Sequence, residues 1–249
     1  MSREIWAALS GGMRALNQLD RTANNLANVN TTGYKADRPV FKVRMADGAQ
    51  GVDPNSAVGR LAQQYATLDE DRVDLTQGHL QGTGAELDVA LSGDGFFQLE
   101  GEGGQKYLTR DGSFRRGEDG SLVSQHGDHV LDTQGGPLRL PAGTTSISRE
   151  GEILVDGEST GRIGVWSVTD PSKLEKIGGN RFVLSGGATA DPARVDILQG
   201  HLEASNVEPV RAIIDLIATQ RYYEAFQKTI DTVSELDRQL HTRVGSLTA

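Results

Sequence analysis

At both ends of the chain, apolar residues recur with alternating spacings of four and three. This periodicity constrains the fold more than any other feature of the 249 residues. Near the N-terminus Ile5, Leu9, Gly12, Leu16, Leu19, Ala23 and Leu26 keep that spacing, which places them along one seam of a helix. No proline falls between positions 2 and 33, and Thr31-Thr32-Gly33 closes the pattern with a residue suited to a left-handed C-cap. The spacing predicts a helix over residues 4–29. Near the C-terminus Ala212, Leu216, Thr219, Tyr223, Phe226, Ile230, Val233, Asp237, Leu240, Val244 and Leu247 repeat the seam, interrupted only by Asp237. Asn206 or Ser205 is expected to cap that helix, and Pro209 is tolerated in its first turn, where the missing N–H has no intrahelical partner.

Two amphipathic helices at opposite ends of one chain are expected to pair with each other as a coiled coil. The alternative is that each docks separately on a globular core. Pairing is favoured because only 5% of the residues are aromatic and 37% hydrophobic, too little bulk for a core that would also cover both helices. Asn24, Asn25 and Asn28 crowd into the end of the first helix, where asparagine is a poor helix former. Their amides are expected to set register in a seam, or else to mark a frayed end passing into a loop.

Between the helices the period falls to two. Short strand candidates such as Leu87–Leu91, Phe96–Leu99, Lys106–Thr109, Ile153–Val155, Ile163–Val168 and Arg181–Leu184 are separated by glycine-containing turns, with hairpin tips at Glu118-Asp119-Gly120 and Glu150-Gly151-Glu152. The 31 glycines, well above average usage, fit such a turn-rich middle. Val73-Asp74-Leu75-Thr76-Gln77-Gly78-His79-Leu80 recurs as Val195-Asp196-Ile197-Leu198-Gln199-Gly200-His201-Leu202. The two copies bracket the β region and are expected to lie together as a stalk. The fold class read from this pattern is α+β, with a mainly β domain over 83–194 inserted between the helices. The expected segments are a first helix within 1–35, a linker over 36–82, a return strand over 195–202 and a last helix within 203–249.

Chemistry is scarce in this sequence. There is no cysteine, which excludes disulfides, thiolate-ligated metals and thiol nucleophiles. S-x-x-K does not occur. Gly93-Asp94-Gly95 and Gly101–Lys106 fit no Walker loop and read as turns. His126-Gly127-Asp128-His129 reads as a solvated loop, and Asp69-Glu70-Asp71 lacks the spacing of a calcium loop. A carboxylate pair for glycoside hydrolysis is the one catalytic arrangement composition leaves open, against a shortage of aromatic platforms for sugar. No metal, cofactor or small-molecule substrate is therefore expected. A net charge of −9, carried by the middle while the two ends nearly cancel, argues against nucleic acid as a partner. No run approaches the ~18 apolar residues of a membrane span, so no membrane insertion is expected. Ile5–Leu9 is also too short for the core of a cleaved signal.

Ala23-Asn24-Asn25-Leu26-Ala27-Asn28-Val29-Asn30-Thr31-Thr32-Gly33-Tyr34-Lys35 resembles the N-terminal signature of the bacterial flagellar rod and hook proteins. Leu87–Phe97 together with Tyr107–Phe114 is similar to the central domain of that family, and Gln199–Val207 followed by Gln220–Ala225 is similar to its C-terminal signature. Length and the opening Met1–Gly11 look most like the proximal, F-type rod branch. The distal rod branch is the alternative, although Val40–Gly48 stands where its usual run would be. The resemblance implies a non-enzymatic structural subunit of the flagellar basal body whose helices line an axial channel with the β domain outside. It implies that the chain assembles with itself and other rod subunits, and that the flagellar export apparatus delivers it to a rod crossing the periplasm without a cleaved signal. Assembly would run through Leu9, Leu16, Leu19, Leu26, Leu216, Tyr223, Phe226, Ile230 and Val233, with Asn24, Asn25 and Asn28 setting register. A cell-wall-binding module or hydrolase is the alternative from a different class.

Overall fold

The computed structural model describes residues 3–43, 66–178, 180–185, 190–193 and 195–247, with the side chains of 3–10, 40–43, 66–71, 190–191, 236–237 and 240–247 excepted. Helix α1 runs over Arg3–Ala27 and helix α2 over Pro209–Leu247, both close to the seams read from the sequence. Asp69-Glu70-Asp71 and most of Val40–Gly48 lie outside the described side chains or residues. The chain separates into two compact units: one holds both helices, and the other, residues 28–38 and 72–207, holds the β body. The fold is thus α+β with a mainly β body inserted between two terminal helices.

Strands β1 (Asp37–Val43) and β2 (Ala66–Val73) pair as a two-stranded sheet within the segment expected to be a linker. In the β body, β3 (Leu80–Gly82), β4 (Val89–Ser92), β5 (Phe96–Glu100) and β6 (Lys106–Thr109) follow, then the short β7 (Arg115–Arg116), β8 (Leu122–Val123) and β9 (His129–Val130). A three-stranded sheet is built from β10 (Thr145–Ile147), β11 (Glu152–Val155) and β12 (Glu158–Arg162). After it come β13 (Val165–Val168), β14 (Leu174–Gly178), β15 (Arg181–Leu184), β16 (Ala190–Pro192), β17 (Asp196–Gln199) and β18 (His201–Glu203). The largest sheet has the order β14-β15-β6-β5-β9-β8-β7, and β13 pairs with both β5 and β16.

Central strand β5 shows why this middle folds despite its few aromatics. Successive side chains point to opposite faces of a strand, so Phe96 and Phe97 serve two different clusters. Phe97 stacks edge-on against Phe114 at 5.2 Å among Leu99, Leu122, Val130 and Ile153, and Phe96 meets Phe182 at 5.7 Å beside Leu108 and Leu174. The predicted hairpin tips are turns. Gly120 N–H donates to Gly117 O at 3.1 Å, and Gly151 N–H donates to Ser148 O at 3.0 Å. Gly101–Lys106 is the turn joining β5 to β6, and His126 and Gly127 occupy the turn closed by Ser124 N–H donating to Asp128 O at 2.8 Å.

The two copies of the repeat meet through the residues that flank them. Strand β18 pairs antiparallel with β3, Glu203 opposite Leu80 and His201 opposite Gly82, whereas β17 pairs with β4. Their glutamines do the same work. Gln77 Nε2 donates to Leu91 O at 2.7 Å, and Gln199 Nε2 donates to Glu86 O at 2.8 Å and Thr145 O at 2.9 Å, so each copy is stitched to the β body by a side-chain amide.

Candidate functional site: a buried charge clasp between the three signature segments

The site begins with a glycine. Gly33 has φ +65°, and a Cβ there would lie 2.4 Å from the backbone nitrogen of Asp111, so only glycine lets this turn press against the 110–111 backbone. Gly33 N–H donates to Glu203 O at 2.7 Å, and two residues on, the Lys35 side chain is 1% exposed. Its Nζ donates to Glu203 Oε1 at 2.7 Å and to Thr76 O at 2.8 Å. From the central segment Arg110, 3% exposed, donates to Glu203 Oε2 at 3.2 Å and to Gly93 O at 2.8 Å, its guanidinium lying 5.3 Å over the Phe96 ring. Gly78 N–H adds a bond to Glu203 Oε1 at 2.8 Å. One buried carboxylate, 1% exposed, therefore holds two buried cations contributed by segments distant in sequence.

Around this triad the backbone is tied as firmly. Asn206 Oδ1 accepts from Ala36 N–H at 2.8 Å, and its Nδ2 donates to Asp74 O at 2.9 Å and Thr76 O at 3.1 Å. Thr32 Oγ1 donates to Asp111 Oδ1 at 2.9 Å, and Asn180 Nδ2 donates to Thr32 O at 2.6 Å. Lys176 bridges to Asp37 at 2.8 Å and sits 4.3 Å over the Tyr34 ring. Burial lowers the Lys35 and Arg110 pKa values, with the Glu203 carboxylate opposing both shifts. Burial, and next the Asp37 charge, raises that of the Tyr34 phenol.

A buried ion pair repays its desolvation only when its hydrogen bonds are made, and of this one the Arg110 Nε has no partner among the described residues while the remaining contacts are close. It joins the segment that follows α1 in the chain (31–36) to the segment that precedes α2 (203–206). Within the clasp the charged groups bond one another and backbone groups. Among the described residues there is no group of three or more histidine, aspartate or glutamate side chains able to hold a metal.

The sequence-derived assembly residues fall elsewhere. On α2, Leu216, Thr219, Tyr223, Phe226, Ile230 and Val233 are half-buried, and the residues between them from 213 to 235 are exposed. The Phe226 ring rests on Gly11 of α1, where an added Cβ would come within 2.7 Å of it. On α1, Leu19 and Leu26 are half-buried and the Leu9 side chain lies outside the described ones. Leu16 departs from the expected seam: it is 42% exposed, while neighbouring Ala15 is 4% exposed. Among the described side chains of α1, Gly12, Ala15, Arg21 and Thr22 are buried and Gly11, Gln18, Leu19, Ala23 and Leu26 half-buried, and Gly11 admits the Phe226 ring where a larger residue would clash.

Asn24 is exposed and Asn25 half-buried. Asn28 follows α1 in a turn, its carbonyl accepting from Thr31 N–H at 3.1 Å and its Oδ1 from the Thr31 hydroxyl at 3.2 Å. The expected Asn206 cap is corrected, since that amide is committed to the clasp; Ser205 Oγ accepts from Val207 N–H at 3.3 Å, and the helix begins with Pro209. Sequence reasoning missed the clasp itself. Its available signal was a charged residue, Lys35, Arg110 or Glu203, inside each of three otherwise apolar or small-residue segments.

Three family patterns match the chain: "Flagella basal body rod protein" over residues 5–35, "Flagellar hook protein FlgE/F/G D1 domain" over 90–155 and "Flagellar basal body rod FlgEFG protein C-terminal" over 198–242. Each carries one member of the charge triad: Lys35, Arg110 and Glu203 respectively. The flagellar basal-body rod protein FlgF of Caulobacter vibrioides is 35% identical across 99% of this chain and 100% of its own length. FlgG of Bacillus subtilis is 33% identical over 96% of this chain and 98% of its own, and FlgF of Salmonella typhimurium 31% over 94% and 95%. With relatives this similar along nearly the whole chain, the protein belongs to the family of bacterial flagellar basal-body rod proteins.

Proposed function

We propose that this chain is a structural subunit of the flagellar basal-body rod and polymerises through its terminal helices into a tube that transmits torque and conducts exported subunits. The observation that carries this reading is the periodic half-burial of α2: one heptad face is shielded, while Val210, Ile213, Ile214, Ile217 and Tyr222 leave apolar surface exposed on the same helix. The helices pair through the seam as a coiled coil, and the exposed apolar residues meet other copies and other rod subunits. Contacts of that kind, repeated without closing into a ring, generate a helical tube.

Within the family we favour the proximal, F-type rod position, which the full-length similarity to the Caulobacter vibrioides FlgF supports. Residues 1–35 and 203–249 form the axial part, 83–194 the outward β domain, and 36–82 with 195–202 the connections. The role is structural rather than catalytic. Delivery is by the flagellar export apparatus to a rod crossing the periplasm, without a cleaved signal.

Sedimentation velocity over a concentration series tests this on the full chain and on residues 28–207, which keep the whole clasp. The full chain gains mass with concentration and the 28–207 fragment stays monomeric. Equal self-association by both would place the assembly surface in the β body and refute the reading.

A further inference from the structure

A heptad seam does not choose its own register. Leu216, Tyr223 and Ile230 recur every seven residues, as do Thr219, Phe226 and Val233, so sliding one helix by a heptad, about 10.5 Å, again places seam against seam. On α1 the buried Gly12, Ala15 and Thr22 are small and discriminate weakly among the side chains packed on them, and buried Arg21 donates to Gln18 of its own helix at 2.6 Å. Something outside the seam must select one alignment.

We propose that the Lys35–Glu203–Arg110 clasp selects it, an inference that rests on the helix pairing proposed above. The clasp ties the chain leaving α1 to the chain entering α2 at a fixed point, Gly33 N–H to Glu203 O at 2.7 Å. Counted along the chain from that bond, Gly11 lies 22 residues before Gly33 and Phe226 lies 23 residues after Glu203. The two arms are matched to one residue, about 1.5 Å of helix, and Gly11 and Phe226 are in contact. Equal arms from a common anchor bring the same level of two antiparallel helices together. A heptad slip would need one arm seven residues longer than the other. The clasp resists this because both segments are held by side-chain and backbone bonds at several points, including Ala36 N–H to Asn206 Oδ1 at 2.8 Å and Asn206 N–H to Tyr34 O at 3.3 Å. Glu203 is thus a positioning residue for the helices and not itself part of the seam.

The test uses the full chain, which contains no cysteine, at a dilution where only intramolecular disulfides form. The pairs Gly11→Cys with Phe226→Cys, Gly11→Cys with Thr219→Cys and Gly11→Cys with Val233→Cys report the native register and the two heptad slips. With the clasp intact, the 226 pair cross-links and the other two do not; this reporter has lost the Gly11–Phe226 packing, so its selectivity comes from elsewhere. In the Glu203→Gln background the preference for 226 is lost. A second variant keeps the clasp and inserts seven helix-forming residues after Arg211. The position cross-linking to 11 then moves from 226 to 219. Retention of the 226 preference after either change, or cross-linking at all three positions with the clasp intact, overturns the inference while leaving the pairing standing. Absence of a cross-link at all three positions with the clasp intact refutes the pairing itself, and the inference with it, whereas a cross-link only at 219 or 233 overturns the inference alone.

Discussion

Replacing Glu203 by glutamine removes one charge and almost no volume, which isolates electrostatics from packing. In the native protein the Glu203 carboxylate accepts from Lys35 Nζ at 2.7 Å, Gly78 N–H at 2.8 Å and Arg110 at 3.2 Å. The substitution leaves two cations buried to within a few per cent with no counter-charge between them and turns an amide donor toward one of them. Breaking a buried pair from one side costs about 3–5 kcal/mol, a large share of the roughly 5–15 kcal/mol that holds a domain folded. Equilibrium urea unfolding in a Trp6→Phe background, followed by Trp166 fluorescence in the β body, reads this directly as a shift of midpoint at constant slope. Lys35→Met combined with Glu203→Gln should destabilise less than the sum of the two single changes, because the double variant buries one uncompensated cation instead of two. A Glu203→Gln protein within about 0.5 kcal/mol of the parent, the range of ordinary surface substitutions, would show that the clasp is solvated in solution and refute the argument.

Gly33→Ala forces a side chain into a left-handed backbone and against the Asp111 nitrogen, and should cost at least the ~1–2 kcal/mol of that conformation in the same unfolding assay. Asn206→Ala should destabilise the β body yet leave helicity by circular dichroism unchanged at low temperature, since the amide bonds Asp74, Thr76 and Ala36 and does not cap α2. Tyr34→Phe should flatten the alkaline limb of stability. The folded phenol is raised and keeps its proton, whereas the unfolded one ionises near pH 10. Stability is therefore lost as pH rises past that value, by up to about 1.4 kcal/mol per pH unit, and the phenylalanine variant lacks this component. Ile230→Asp, at a half-buried seam position of α2, should abolish concentration-dependent assembly in sedimentation velocity while the urea midpoint of the β body stays unchanged.

Periodicity along the chain was sufficient for the elements whose formation depends on near neighbours. The limits of α1 and α2, the Gly120 and Gly151 turns, and the strands around Phe96-Phe97 all follow from side chains a few residues apart, and each lies where the spacing put it. The duplicated Gln-Gly-His-Leu stretch likewise announced two segments that meet, although only tertiary structure showed that they pair through β3 and β18, at and just beyond their ends. The covered face of α1 was read with less success. A hydrophobic period identifies which residues share a stripe, but which of two adjacent stripes is covered depends on how the helix turns in its packing, which brought Ala15 in and left Leu16 out.

The clasp lay beyond any local rule. Lys35, Arg110 and Glu203 stand 168 positions apart at the extremes, and each by itself reads as a solvated charge. What converts them into a buried triad is the β body closing around them, which removes water and leaves the charges one another and nearby backbone groups as partners. Local spacing dictates helices, turns and strands because their hydrogen bonds close within a few residues. Which charges lose their solvent is decided by the whole fold, and in this protein that decision joins the two chain segments flanking the β body at one carboxylate.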